Sequence, residues 1–290
     1  MADHDVLRPV GYRRTPAGIL ATVARYLALS VAAVLFLLPF YLVLRNGFAT
    51  EQEITAQGWR LFPDRVHWEN IGELLDDPAV PMLRSLVNSV VVSVAQTVGQ
   101  LLFASLAGYG LARIPYRHSK KVFYAVLATL MIPAAVTFVP SFVVVSTLGW
   151  ISDLRGLVVP VMFSGFTAFL FRQYFLAFPA ELEEAARIDG LGHWGTYWRI
   201  VVPNSLNFFA AIAVITFIGS WNSFLWPLVI GQDQSAWTVQ VALSTFITGQ
   251  SINIHELFLA AALSVLPLVL MFVALQRFLV RGAAETGIKG

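Results

Sequence analysis

The sequence predicts an all-α integral membrane protein with six transmembrane helices and a charged loop between the fourth and fifth. Three observations predict it. Of 290 residues, 57% are hydrophobic and only 12% charged, whereas soluble domains carry about a quarter charged residues. Six apolar runs approach the length of about 20 residues that a span requires, near 26–44, 86–112, 122–148, 156–171, 204–231 and 257–275. Between the fourth and fifth runs, a chain that otherwise avoids charge places Glu181, Glu183, Glu184, Arg187 and Asp189 within a few residues.

Each run has its own character. The first exceeds the apolar core of a signal peptide and no A-x-A-like site follows it, so it reads as a retained span; Arg13-Arg14 lacks the rest of a twin-arginine signal. The second carries Ser89, Ser93, Gln96 or Thr97, and Gln100, which recur every three or four residues and share one helix face. Such side chains are expensive against lipid, which leaves two uses: bonding to neighbouring helices or lining a path. In the third, Pro133 and Pro140 predict a bent or broken helix. The fourth is short and is expected to continue to Phe178, with Arg172 snorkelling. The fifth ends in Trp221, Asn222, Ser223, Phe224, Trp226 and Pro227. Trp221 and Trp226 fit an aromatic belt or, beside the Asn222 amide, a surface for stacking and hydrogen bonding a sugar. Asn222 is expected to face the protein interior or the pathway, since a lone amide in hydrocarbon is costly, and Pro227 is expected to kink the helix. Gln96, Gln100, Trp221, Asn222 and Trp226 are therefore the candidate path residues.

Basic residues set the orientation. Arg8, Arg13, Arg14 and Arg25 in the N-terminal tail, and Arg113, Arg117, Lys120 and Lys121 after the second run, mark cytoplasmic segments. The first long connection holds Glu51, Glu53, Asp64, Glu69, Glu73, Asp76 and Asp77, and 232–256 holds no Lys or Arg; both belong outside. Residues 1–25 and 281–290 are then cytoplasmic tails around one transmembrane domain, 26–280, and the charged loop is cytoplasmic.

Several function classes are excluded. There is no cysteine, and His4, His67, His118, His193 and His255 are scattered, so no metal site is expected. A net charge of +2 is too small for a nucleic-acid partner. No nucleophile–base pair or carboxylate pair marks an enzyme; a membrane-embedded enzyme or scaffold is the reading from another class. The spans hold no central ionisable group of the kind ion-driven carriers need, and no phosphate-binding G-x-x-x-x-G-K-[ST] loop is present. Energy for any transport must come from a partner.

The charged loop reads as two short helices. Pro179 suits a first helical position and the acids suit the positive end of the dipole. Glu183 and Arg187 form an exposed i,i+4 pair. Ala185 and Ala186 keep the surface low, and Gly190 ends the helix. A second helix, from about 193 to 201, is stopped by Pro203.

Glu184-Ala185-Ala186, Gly190, Ile200 and Pro203 match the pattern E-A-A-x3-G-x9-I-x-L-P, with Val202 where the pattern has Leu. In this the chain resembles the permease subunits of binding-protein-dependent ABC importers, and Asp189-Gly190 fits their sugar-type variant. Phe169 to Gln173 (F-L-F-R-Q), Trp221 to Pro227 (W-N-x-x-L-W-P), Arg281-Gly282, Gly287, Lys289 and Gly290 extend the likeness to the smaller, MalG-type permeases of carbohydrate importers. The resemblance implies a type I importer fold in a bacterial inner membrane with both termini cytoplasmic. It implies that Glu184, Ala185, Ala186, Asp189, Gly190, Ile200 and Pro203 form a coupling loop on a cytoplasmic ATPase dimer. The implied partners are a homologous second permease, that dimer and an extracytoplasmic substrate-binding protein; ATP and Mg belong to the ATPase, and this chain holds no cofactor. The implied cargo is a sugar or sugar-like solute. Several of these segments are also similar to glycerol-phosphate permeases, which gives the alternative cargo.

Overall fold

The computed structural model describes residues 16–56, 58, 60–247 and 254–287. His4, Arg8, Arg13, Arg14, Lys289 and Gly290 lie outside them.

The architecture is all-α. Helix α1 (Pro16–Gly47) begins before the apolar run, so Arg25 is helical rather than part of a tail. Its apolar side chains, among them Leu20, Phe36 and Leu37, point away from the protein, as a helix solvated by lipid requires. Two short helices, Glu51–Thr55 and Glu69–Asp76, occupy the acidic connection. The first is closed by a capping box, with the Thr50 hydroxyl accepting from Glu53 N–H and the Glu53 carboxylate accepting from Thr50 N–H.

Helix α2 (Met82–Arg113) is the centre of the molecule: 32 residues without a proline. The expected third span is two helices, α3 (Ser119–Leu130) and α4 (Ala134–Thr147), set at 96°. Pro133 makes the break, with extended backbone (φ −60°, ψ 136°) just before α4. Pro140 lies inside α4 without interrupting it. The fourth run is α5 (Leu154–Val158), continued by a 3₁₀ turn (Val159–Val161), followed at 41° by α6 (Gly165–Leu176). The Asp153 and Ser164 side chains cap these two segments. Arg172 does not simply snorkel: its guanidinium lies 3.8 Å from the centroid of Phe123, so a cation–π contact locks α6 to α3.

Helix α7 (Ala180–Ile188) and α8 (His193–Thr196) form the charged loop, α8 running on through residues 197–204. At 78° to this segment stands α9 (Leu206–Trp221). The fifth run does not continue as one helix to Gly231. It stops at Trp221 and restarts as α10 (Leu225–Ile230), so the interruption lies at 222–224 and not at Pro227, which occupies the first turn of α10 where a missing N–H is harmless. After a 3₁₀ turn at Gln234–Ala236, α11 (Val239–Thr245) packs inward, with Val239 and Ala242 fully buried. Helix α12 (Ile254–Gly287) closes the bundle beside α1 and α9, and carries helix well into the expected C-terminal tail.

Close packing of α2 on α6 holds the bundle together. A Cβ on Gly108 would lie 2.6 Å from Phe171 Cβ and 2.8 Å from the Arg172 backbone nitrogen, closer than atoms can stand. Gly108→Ala is therefore expected to lower stability by about 1–3 kcal/mol, the usual penalty for overpacking. Thermal unfolding of the purified variant in detergent checks this, and an unchanged midpoint would contradict the close approach.

Candidate functional site: a charged loop and a polar cavity

Two regions carry functional geometry, and α2 touches both. In the charged loop, Pro179 sits one residue earlier than expected, at the N-cap of α7 with extended backbone (φ −56°, ψ 121°). The helix closes through Asp189 N–H to Ala185 O at 3.0 Å and Leu191 N–H to Ala186 O at 2.9 Å. Gly190 turns left-handed there, φ +84°, a conformation glycine adopts freely.

The exposed face of α7 carries Glu184, Ala185 and Ile188, followed by Asp189 and Gly190. Ile188 is 87% exposed, and nearby Trp194 is 65% exposed. Ala186 does not belong to this face; it is buried. Nor do Glu183 and Arg187 form a surface pair. Glu183 turns inward, 4% exposed, with Oε1 3.2 Å from Arg113 Nε at the end of α2. The i,i+4 spacing permitted a pair with Arg187, but the inward face of α7 carries the acid to a cation from another helix.

Ile200 is half-buried and Pro203 exposed. Pro203 does not stop the helix. A π turn at Tyr197–Val201 offsets the hydrogen bonding, with Val202 N–H reaching Tyr197 O, and Pro203 then enters a fresh turn, Val202–Asn204. The break comes at Ser205.

Between α2, α5, α6, α9 and α10 lies a cavity of about 350 Å³. The polar stripe of α2 forms one wall, where Gln96 and Gln100 both pack and line. Gln96 Nε2 donates to Leu157 O at 2.9 Å, and Gln100 Nε2 to Val161 O at 2.9 Å, while Thr167 Oγ1 donates to Gln100 Oε1 at 3.2 Å. Ser89, Ser93, Ser164, Thr216, Ser220 and Ser223 add hydroxyls, and Trp226 adds an aromatic face. Trp226 is held by its Nε1–H, which donates to Gly156 O at 3.1 Å, and by an edge-to-face contact with Phe138. Among the described residues, no Asp, Glu, Lys, Arg or His lines the cavity. Asp153, which caps α5 from just outside the span, pairs with Arg155, whose side chain, then its backbone N–H, holds the Asp153 carboxyl below the usual carboxylate range.

Two expected path residues do not line this cavity. Trp221 is 1% exposed and stacked on Phe217 in the core formed with α11 and α12, so it neither lines the cavity nor belongs to an aromatic belt. Asn222 ends α9 with its side chain exposed, and its Oδ1 accepts a long 3.4 Å bond from Gln240 Nε2. A helix end offers an amide local partners, so Asn222 need not turn inward. Among the described residues, no group of three His, Asp or Glu side chains could hold a metal ion.

Residues 100–285 match the family described as binding-protein-dependent transport system inner membrane components. This chain belongs to that family. Relatives include the sn-glycerol-3-phosphate transport system permease protein UgpE of Yersinia pestis, 32% identical over 90% of this chain and 95% of that protein. The lactose transport system permease protein LacG of Rhizobium radiobacter is 33% identical, covering 91% and 95% of the two chains. The arabinooligosaccharide permease AraQ of Bacillus subtilis is 28% identical, covering 96% and 99%. Among solved structures, a chain of a bacterial ABC transporter that imports the acidic polysaccharide alginate shares the fold, with a TM-score of 0.78 at 20% identity over 91% of this chain and 98% of that one.

Sequence reasoning missed some working residues of this permease. Asn88 donates to the carbonyls of Ser235 and Trp237, both at 2.9 Å, and anchors the segment before α11. Its place beside the Ser89 stripe was the available signal. Arg113 reads from the sequence as a loop base, yet it is half-buried among carbonyls; nothing local distinguishes it from Arg117. At Gly190, an added Cβ would meet no neighbour, so only backbone strain opposes substitution. Gly190→Ala is expected to destabilise by about 1–2 kcal/mol, the penalty for a left-handed L-residue, and Gly190→Asn by less. Amide hydrogen exchange should speed up at 186–191 in the alanine variant; unchanged protection there would argue against the left-handed turn.

Proposed function

We propose that this chain is one of two homologous permease subunits of an ATP-driven importer, forming with the second the alternating-access path for a neutral sugar or sugar-like solute. An extracytoplasmic binding protein delivers the solute. A cytoplasmic ATPase dimer, which holds ATP and Mg, supplies the energy, and this chain is itself non-catalytic. The membrane is a bacterial inner membrane, with both termini and α7 in the cytoplasm.

One observation carries the choice of cargo: hydroxyls, amides and an indole alternate on the cavity wall with apolar side chains such as Val92, Phe166 and Ile215, and among the described residues no charged side chain lines it. Sugars ask for such a wall, with C–H faces to stack and hydroxyls to bond. The second reading, a glycerol phosphate, is favoured by the UgpE relative, but a phosphate dianion calls for arginine or lysine. ATPase stimulation in the reconstituted importer separates the two. The expected result is stimulation by binding protein loaded with a neutral oligosaccharide and none with glycerol phosphate; the reverse would replace the cargo assignment. Trp226→Leu should lower transport about fivefold, the equivalent of the ~1 kcal/mol an aromatic face contributes, with assembly intact.

The docking assignment rests on the exposed face of α7. An isoleucine left 87% exposed at the tip of a helix whose outer face otherwise carries Glu184 and Ala185 fits a groove on a partner. Ile188→Asp is expected to abolish co-purification of the ATPase while leaving the permease folded. Normal co-purification and transport would remove the coupling assignment. For orientation, Lys120→Cys should resist an impermeant thiol reagent in intact cells and Glu73→Cys should react, a clean experiment because the native chain has no cysteine.

A further inference from the structure

Helix α2 ends in a polar clamp that the cavity does not use. The Arg113 side chain reaches back under α6 and α7. Its Nε–H donates to Phe175 O at 2.8 Å and a terminal nitrogen donates to Phe178 O, the carbonyls at the end of α6. Glu183 Oε1 lies 3.2 Å from the same Nε and accepts no hydrogen bond, so the acid is held by charge rather than by a directed bond. Both partners are withdrawn from water, with side chains 17% and 5% exposed, where screening is weak. One and two turns back along the same face of α2, Tyr109 packs edge-on against Phe175 and at 5.2 Å from Tyr197, and the Ser105 and Tyr197 hydroxyls stand 2.6 Å apart. Helix α2 thus grips both limbs of the charged loop, α7 through Glu183 and the π turn through Tyr197.

The far half of α2 carries Ser89, Ser93, Gln96 and Gln100 on the cavity wall. From Arg113 to Gln100 is roughly 20 Å at 1.5 Å per residue, along a helix without proline. The route through α8 to α9 is interrupted by a π turn and a 78° bend, and α6 meets the cavity only through its first turn, at Phe166 and Thr167.

We propose that Arg113, paired with Glu183, is a positioning residue that fastens α7 and the end of α6 to α2, so that displacement of the docking element reaches the Gln96–Gln100 wall as movement of one unbroken helix. This rests on the docking role of α7 proposed above. The pair is the joint of the transmission, not part of the ATPase contact, since neither side chain lies on the exposed face of α7.

Removing one partner leaves a lone buried charge and is expected to harm folding outright, so the informative variant is Arg113→Met combined with Glu183→Gln. In the reconstituted importer, with the ATPase and a loaded binding protein, this double variant is expected to assemble and to hydrolyse ATP at the basal rate. Transport and its stimulation of hydrolysis should fall about tenfold, within the range of a typical coupling free energy. A second measurement uses spin labels at Leu182→Cys and Val98→Cys. The distance between them should stay constant on ATP binding in the otherwise native chain and change in the double variant. Transport at the wild-type level in the double variant overturns the proposal, as does an ATP-dependent distance change in the otherwise native chain. Loss of ATPase co-purification in the double variant also overturns it, because the pair would then be an element of assembly. If the otherwise native chain fails to bring down the ATPase, the docking reading itself falls, a separate result.

Discussion

Interrupted helices in a membrane create carbonyls without donors, and α2 supplies the donors. Within hydrocarbon an unsatisfied backbone group costs several kcal/mol, so a fold with breaks at Pro133, between α5 and α6, at Ser205 and at 222–224 needs side chains to repair them. The polar residues of α2 do this for the second of these breaks. Gln96 and Gln100 donate to Leu157 and Val161 on the α5 segment; toward the two ends of α2, where loops meet it, Asn88 donates to Ser235 and Trp237 and Arg113 to Phe175 and Phe178. Ser89 completes the set from the other side, its hydroxyl accepting from Val239 N–H at 2.7 Å. An unbroken, centrally packed helix thus makes the break between α5 and α6 tolerable.

The cavity follows from the same arrangement. Helices that stop short leave space where a continuous helix would fill it, and the donors that repair the breaks become its wall. Gln96 and Gln100 are held at both ends of their roles, fixed to a carbonyl on one side and facing the cavity on the other. Such a wall is pre-organised: its polar groups need little rearrangement to meet a solute, which lowers the ordering penalty of binding. It also ties cavity shape to helix position, since shifting α2 relative to α5 disturbs the hydrogen bonds that define the wall.

Much of this was legible in the sequence. The six apolar runs, the break at Pro133, the glycine turn at Gly190 and the shared polar face of α2 all follow from composition, proline chemistry and 3.6-residue spacing, which are local. The misreadings were not local. Glu183 has a neighbour at the right spacing in Arg187 and a partner in Arg113 some seventy positions earlier; no periodicity distinguishes them. Trp221 and Trp226 share a motif and an amphipathic chemistry, yet the chain breaks between them, which sends one into the core beside Phe217 and leaves the other on the cavity. Asn222 was expected inside because a mid-helix amide must be; at a helix end that constraint disappears.

The charge that α2 turns inward, Arg113, lies apart from its neutral cavity-facing groups, while Arg84 in its first turn is exposed, and this separation suits the two roles proposed for the protein. Its early and middle turns offer neutral groups to the cavity, and its last turn offers Arg113 to the loop. A charge on the cavity wall would bind water or counter-ions strongly and would have to shed them each time the wall moved, whereas neutral hydroxyls and amides exchange partners at modest net cost. At the loop the requirement is the opposite. A joint that transmits force must keep its partners through the movement, and a buried, weakly screened ion pair without a fixed hydrogen-bond direction keeps its attraction as the angle between α7 and α2 changes. The rigid element therefore lies between a neutral end that can exchange ligands and a charged end that cannot easily let go.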